Sequence, residues 1–328
     1  MRHRITTFTG GVLLLTWMAH AQCDHPGIPR DTSYSIASTY QHIAANYPEA
    51  VPVRDELPSG VIEYRDLVYT TLPDTPHGKR DLHLDLFRPE KEGHFPAVLM
   101  VHGGGWRSGD KHMQVPMAQQ LAARGFVTVC VEYQLSLEAK YPAAVHNIKS
   151  SVRWMRANAG RYGIDPNRIA ISGCSAGGQL ALLVGMTSGV DAMEGDQGNS
   201  GHSTAVQAII DIDGVVDFMA PMSLNLDRKP DSPDIEWLGG SFLEKPATWK
   251  NASPIFWANE NSPPVLFINS GYSRFHAGQD ELIGMMKEWN IHTNVRKFDI
   301  QVHPFWLFEP WMNQTVDYMD SFLRKTIQ

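Results

Sequence analysis

The sequence predicts one α/β domain built on a parallel or mixed sheet, and three observations predict it. Short, almost continuous apolar runs recur along the chain: AVLMVH, FVTVCVEY, RIAISG, AVQAIIDID and PVLFINSG. Such runs suit strands buried on both faces. Helical stretches at 111–124, 143–159, 175–187 and 279–290 lie between them, and this alternation belongs to a sheet flanked by helices. At 328 residues the chain can hold one large domain or two small ones, and no repeat, low-complexity stretch or linker marks a second.

The elements follow in order. Arg2, His3 and Arg4 precede a short apolar run, Val12 to Met18, and Ala19-His20-Ala21 supplies a small-x-small cleavage pattern. The expectation is a signal peptide over 1–21 and a mature protein that is secreted or periplasmic, with no membrane attachment after cleavage. The apolar run is far shorter than a span requires. Lipidation at Cys23 is the alternative, but His20 and Gln22 are poor residues to precede a lipidated cysteine. Residues 22–60 read as a polar lead-in with one helical stretch, Ile36 to Asn46, and 61–328 as the main domain. VIEYRDLVYTT and RDLHLDLFRP alternate apolar and polar residues, as half-buried antiparallel strands do. In 143–159, Val145, Ile148, Val152 and Met155 recur at helical spacing. The stretch 219–257, rich in Pro, Asp, Trp and Gly, breaks the rhythm and reads as an insertion over the C-terminal edge of the sheet.

Charge and cysteine content narrow the function classes. The formal charge is −7 and no Lys/Arg-rich run occurs, so nucleic-acid binding has no electrostatic support. Three cysteines make no disulfide framework; Cys130 and Cys174 read as small buried residues.

The strongest chemical signal is RIAISGCSAGGQLALLVG. An apolar strand runs into Gly173-Cys174-Ser175-Ala176-Gly177, and a helix follows at once. G-x-S-x-G needs its glycines because side chains in so tight a turn would strike the strand and helix. The turn lifts the Ser175 hydroxyl clear of the backbone at the positive end of the new helix, as a nucleophile requires. In VLMVHGGGWRSGDK a second strand ends at His102, and Gly103, Gly104 and Gly105 leave room for close approach. The N–H groups of Gly104 and Gly105, with that of Ala176, form a candidate oxyanion hole. A phosphate loop is excluded, because no Gly-Lys-Ser/Thr follows. His102, among the donors at the strand end, reads as a brace rather than a base.

HGGGW, followed by YQLSLEAKYPAAVHNIKSSVRWMRANAGRYGIDPNRIAISGCSAGG, resembles the hormone-sensitive-lipase-like branch of the α/β-hydrolase fold, and within it the bacterial feruloyl and acetyl-xylan esterase group. The resemblance is dense over 95–185, looser over 205–325 and absent from 1–60. It implies an α/β-hydrolase fold with a mostly parallel, eight-stranded sheet, helices on both faces, a Ser-His-acid triad and no cofactor or metal.

The base is expected beyond the last strand. In NVRKFDIQVHPFWLFEPW that strand ends near Phe298 and His303 follows after a short turn. An imidazole titrating near neutrality can take the serine proton and return it to the leaving group. His276 is the rival. Of the aromatic residues nearby, most suit core packing; Trp306, with Trp106, is a candidate for a flat platform under a sugar.

The acid is the open question. In the family an Asp follows the seventh strand by a few residues, and here that place falls at or next to Ser273 in INSGYSRFHAGQDEL. AVQAIIDIDGVVDF instead offers Asp213 directly after the sixth strand's apolar run, where the family tends to have an aromatic residue. Neighbouring parallel strands end within side-chain reach of one histidine, so Asp213 is the favoured acid. Asp280, in the first turn of the next helix, is the alternative, although N-terminal charge stabilisation explains an acid there without catalysis. A working dyad without an acid, or no turnover at all, is the third reading.

The expectation is a secreted serine carboxylic-ester hydrolase, a carbohydrate esterase, acting on acyl or methyl esters of xylan or pectin. Its partner would then be a polysaccharide or oligosaccharide ester. Arg274 and His276 are candidate contacts for an anionic sugar, with loop hydrogen bonding the simpler reading. The alternatives are a short-chain, lipase-like carboxylesterase and a non-catalytic hydrolase-fold binding protein.

Overall fold

The structure, a computed structural model, describes residues 27–327. The expected signal peptide and Cys23 lie outside the described residues.

Eight strands form one sheet: β1 Val61–Leu72, β2 Arg80–Pro89, β3 Phe95–Val101, β4 Val127–Val131, β5 Ile164–Cys174, β6 Ala208–Ile212, β7 Val265–Asn269 and β8 Thr293–Lys297. Their order is β1-β2-β4-β3-β5-β6-β7-β8. β1 and β2 are antiparallel to their neighbours, and every pairing from β4 to β8 is parallel. β2 departs from the half-buried expectation: its burial alternates only at the start, because from Leu84 on both faces are covered, Leu84 and Leu86 by the first core and Phe87 by the second.

The apolar runs divide between two cores by the two-residue period of a strand. In β3, Ala97, Leu99 and Val101 face one core, and Val98 and Met100 face the other. Helices α3 Ala143–Ala157, α4 Ala176–Met186 and α5 Gln279–Glu288 cover the first face. Helices α2 Val115–Ala123 and α6 Trp311–Thr326 cover the second. The predicted helix at 111–124 opens instead with a 3-10 turn, Lys111–Gln114, because Pro116 supplies no N–H and so suits the first turn of α2.

The lead-in is held against the domain. Helix α1, Ile36–Ile43, is shorter than expected and is closed by a capping box on Ser35 and Ser38. Val51–Pro52 pairs antiparallel with Phe308–Glu309, and the Tyr47 hydroxyl accepts from Gln301 N at 2.8 Å. The stretch 219–257 folds as short helical turns, Pro221–Leu224, Pro233–Leu238, Pro246–Asn251 and Pro254–Trp257. Each begins with a proline, whose missing N–H has no intrahelical partner to lose at that position. Trp237 and Trp249 anchor them by full burial in the first core.

Candidate active site

The turn between β5 and α4 is sterically determined. Ser175 has φ 56° and ψ −121°, a conformation rare for a side-chain-bearing residue. A Cβ on Gly173 would lie 1.9 Å from Gly177 O, and one on Gly177 would lie 2.3 Å from Val101 O. Both positions therefore exclude every other residue, and the backbone closes tightly enough for Ser175 N to donate to Ile212 O at 2.7 Å. The strain is carried by packing on three sides and leaves the Ser175 hydroxyl at the head of α4.

His303 reaches that hydroxyl from the loop after β8. Its Nε2 lies 2.7 Å from Ser175 Oγ, and its Nδ1 lies 2.9 Å from Asp213 Oδ2. The Nδ1 contact with a carboxylate sets the tautomer, with Nδ1 protonated and Nε2 free to accept from serine. Phe275 stacks on the imidazole at 3.5 Å between centroids and 9° between planes, and Trp306 meets its edge at 5.3 Å. Burial, the largest influence, lowers the His303 pKa from the ordinary 6.5, and the Asp213 hydrogen bond and charge partly oppose it.

Asp213 sits one residue beyond β6 in a left-handed conformation, φ 54°. Its side chain is fully buried. Asp213 N donates to Ile268 O at 3.0 Å and Ser270 N donates to Asp213 Oδ1 at 2.8 Å, so the ends of β6 and β7 are stitched together around it. Burial alone would raise its pKa, but the contacts with His276, His303 and Ser270 outweigh burial and hold the carboxyl below its ordinary value. Two residues earlier, Asp211 is also buried and accepts from Gly214 N at 2.8 Å. Burial without a cation pushes its pKa well up, with the Asp213 charge adding to the rise. Asp217 accepts from Met219 N at 2.7 Å and closes a turn.

A cavity of about 350 Å³ opens over Ser175, bounded by Gly105, Ala176, Phe218, Leu226, Arg274 and Phe275 among others. Gly104 turns at φ 123°, where a Cβ would strike Ser108 O at 2.1 Å, and Gly105 turns at φ 59°. Only glycine lets this loop bring its backbone beside the serine. His102 is buried, stacks on Tyr133 at 4.4 Å and bonds the Gly103 carbonyl at 2.8 Å, as a brace does; burial lowers its pKa to about 4.

Three sequence expectations need correction. Asp280 is exposed on the first turn of α5 and makes no contact with His303, because the 272–278 segment does not fold back to bring it there. Trp306 does not reach the cavity: it is buried behind His303 in the second core, where the 3-10 turn Phe305–Leu307 pins the histidine loop. His276 does not line the cavity either; its Nε2 points at Asp213 Oδ1 from 3.4 Å. Trp106 does border the cavity, but only 8% of its surface is exposed, since it stacks on Trp237 at 4.9 Å and donates to Gln179 Oε1 at 2.9 Å. Sequence reasoning did not single out Phe275 or Gln179. Nor did it find the insertion residues Arg228 and Asp234, paired at 2.6 Å on the cavity wall. The available signal for Phe275 was a pair of aromatic residues, Tyr272 and Phe275, in a short turn after a strand. Among the described residues no group of three or more His, Cys, Asp or Glu is placed to hold a metal ion.

Comparison with known proteins agrees with this architecture. Esterase LipC of Mycobacterium tuberculosis is 31% identical over 175 residues, 53% of this chain and 43% of that protein. The probable carboxylic ester hydrolase LipM of the same organism is 30% identical over 255 residues, 73% of this chain and 54% of that protein. The chain spans about half the length of these curated relatives. Among solved structures, a truncated carbohydrate esterase from gut microbiota superposes with a TM-score of 0.71 at 24% identity, covering 84% of this chain and 98% of that one. A thermophilic esterase of the planctomycete Thermogutta terrifontis superposes with a TM-score of 0.63, also at 24% identity, over 81% of this chain and 92% of that one. Identities this low carry the fold alone. The family profile described as BD-FAE matches residues 84–287, from β2 into α5, and the chain belongs to the BD-FAE family of α/β hydrolases.

Proposed function

We propose that the protein is a serine esterase acting on esters of carbohydrate, exported to act on acyl or methyl esters of plant cell-wall polysaccharide. The observation that carries the reading is the unbroken line from Ser175 Oγ to His303 at 2.7 Å and from His303 to Asp213 at 2.9 Å, with the serine open to the cavity. Ser175 Oγ attacks the ester carbonyl as His303 Nε2 takes its proton, and Asp213 stabilises the imidazolium. The tetrahedral oxyanion is received by backbone N–H groups of Ala176 and of the Gly104–Gly105 turn, each donor contributing ~3 kcal/mol. His303 then protonates the leaving alkoxide. Water, activated by the same imidazole, hydrolyses the acyl-enzyme and restores the serine.

The carbohydrate substrate is supported by the family resemblance and by likeness to a structure named as a carbohydrate esterase. Export is supported by the basic, apolar and small-x-small pattern of residues 1–21. A short-chain carboxylesterase is the second reading, favoured by the apolar walls Val215, Phe218 and Leu226 of the cavity. Release of acetate, methanol and ferulate from xylan and pectin, measured beside hydrolysis of short-chain nitrophenyl esters, separates the two. Turnover confined to the nitrophenyl esters would select the second. A Ser175 that resists a fluorophosphonate would defeat both and leave a binding protein.

A further inference from the structure

We propose that the turn carrying Arg274 is a carboxylate subsite, and that the preferred substrates are esters bearing a free carboxylate close to the scissile bond. This rests on the esterase reading of the same cavity. Arg274 is exposed and borders the cavity together with Ser175 and His303. Its guanidinium lies over the Phe275 ring at 4.4 Å, and Phe275 lies on His303 at 3.5 Å. These two steps hold the cation within about 8 Å of the imidazole centre. A carboxylate on it would therefore stand about one sugar residue from an ester carbonyl at Ser175.

The cavity's other arginine is already committed. Arg228 bonds Asp234 Oδ2 at 2.6 Å, Ser223 O at 2.7 Å and Ser223 Oγ at 3.1 Å, and its guanidinium lies 4.9 Å over the Trp249 ring. Arg274 has no carboxylate partner among the described residues, so its planar fork of donors stays available for a bidentate anion. The cavity carboxylates are placed so that they do not take this role. Asp213 is occupied within the Ser-His-Asp line and Asp234 is matched by Arg228. Asp227, exposed on the insertion, would repel an anion near itself and so confine the carboxylate to the Arg274 side. The carboxylate can belong to the alcohol, as in a uronate-containing oligosaccharide, or to the acyl group, as in a succinyl ester.

The test measures kcat/KM for two matched pairs: acetylated galacturonate and xylose trisaccharides, and nitrophenyl hemisuccinate and butyrate. The full-length mature protein should prefer the acidic member of one pair, and Arg274→Gln should cut that acidic-to-neutral ratio about tenfold, with Arg274→Lys retaining part of it. Added salt should compress the ratio of the unaltered protein. A response in the sugar pair assigns the carboxylate to the alcohol, and one in the nitrophenyl pair assigns it to the acyl group. A ratio that Arg274→Gln leaves unchanged in both pairs overturns the subsite while neutral-ester turnover keeps the esterase reading alive. Silence on all four esters, with Ser175 inert to fluorophosphonate, overturns that reading and the subsite with it.

Discussion

The turns after β6 and β7 end neighbouring parallel strands, yet they have taken opposite characters. The first is closed: Asp213 is fully buried and makes contacts with Ser270 N, His303 and His276. The second is open at its tip, where Tyr272, Ser273 and Arg274 are exposed; Phe275 and His276 then turn inward, the one onto the histidine and the other toward Asp213. The difference teaches that which carboxylate meets the imidazole is decided by reach rather than by the strand that bears it. Because Ser270 N bonds Asp213 Oδ1, the strand without an acid still helps hold the one its neighbour supplies.

If the closed turn is part of one catalytic unit, removing its members must be non-additive. Replacing Ser175, His303 and Asp213 together should cost no more in kcat than Ser175→Ala alone, about 10⁶. Multiplying penalties, read in single-turnover hydrolysis of a nitrophenyl ester, would separate Asp213 from the unit.

The packing contrast is tested by two glycines. A Cβ on Gly178 would lie 2.1 Å from Asp211 Oδ1, a buried carboxyl already tied to Gly214, whereas Gly284 in α5 has open space. Urea unfolding should show Gly178→Ala destabilised by about 2–3 kcal/mol. Gly284→Ala should gain about 0.5–1 kcal/mol. Equal effects would erase the distinction.

Phe275 is the open turn's stacking contact with the His303 imidazole. Phe275→Leu should lower kcat about tenfold by freeing the imidazole to tilt, with KM for a small neutral ester moving less. A KM effect alone would reassign Phe275 to substrate binding.

The smallest effect is in pH. His303 must be neutral to accept the serine proton, and burial lowers its pKa. The acid limb of kcat/KM should therefore have its midpoint below 6.5, with a plateau by about pH 7–8. Asp213→Asn removes the influence that raises the histidine pKa and should move the limb further down. A limb moving up would contradict the pairing.

Much of this was legible because steric demand leaves a mark in sequence. Strands buried on both faces read as apolar runs, and the turn at Ser175 admits only glycine at two positions. Asp213 was legible as a carboxylate gained beside one lost. The rest depended on direction, which composition does not encode. Trp306 and Trp106 look alike in sequence, yet one packs behind the histidine and the other borders the cavity. His276 reads as a loop residue until the fold aims it at Asp213. Arg228 was hidden because the proline-started turns of 219–257 are too short to show a period.

The central claim is that Asp213 completes the triad and Asp280 does not. Comparing acylation rates of Asp213→Asn and Asp280→Asn in single turnover tests it most directly. The account predicts a loss of about 10⁴ for Asp213→Asn and less than about twofold for Asp280→Asn. Near-normal acylation in Asp213→Asn, or a comparable loss in Asp280→Asn, would contradict it.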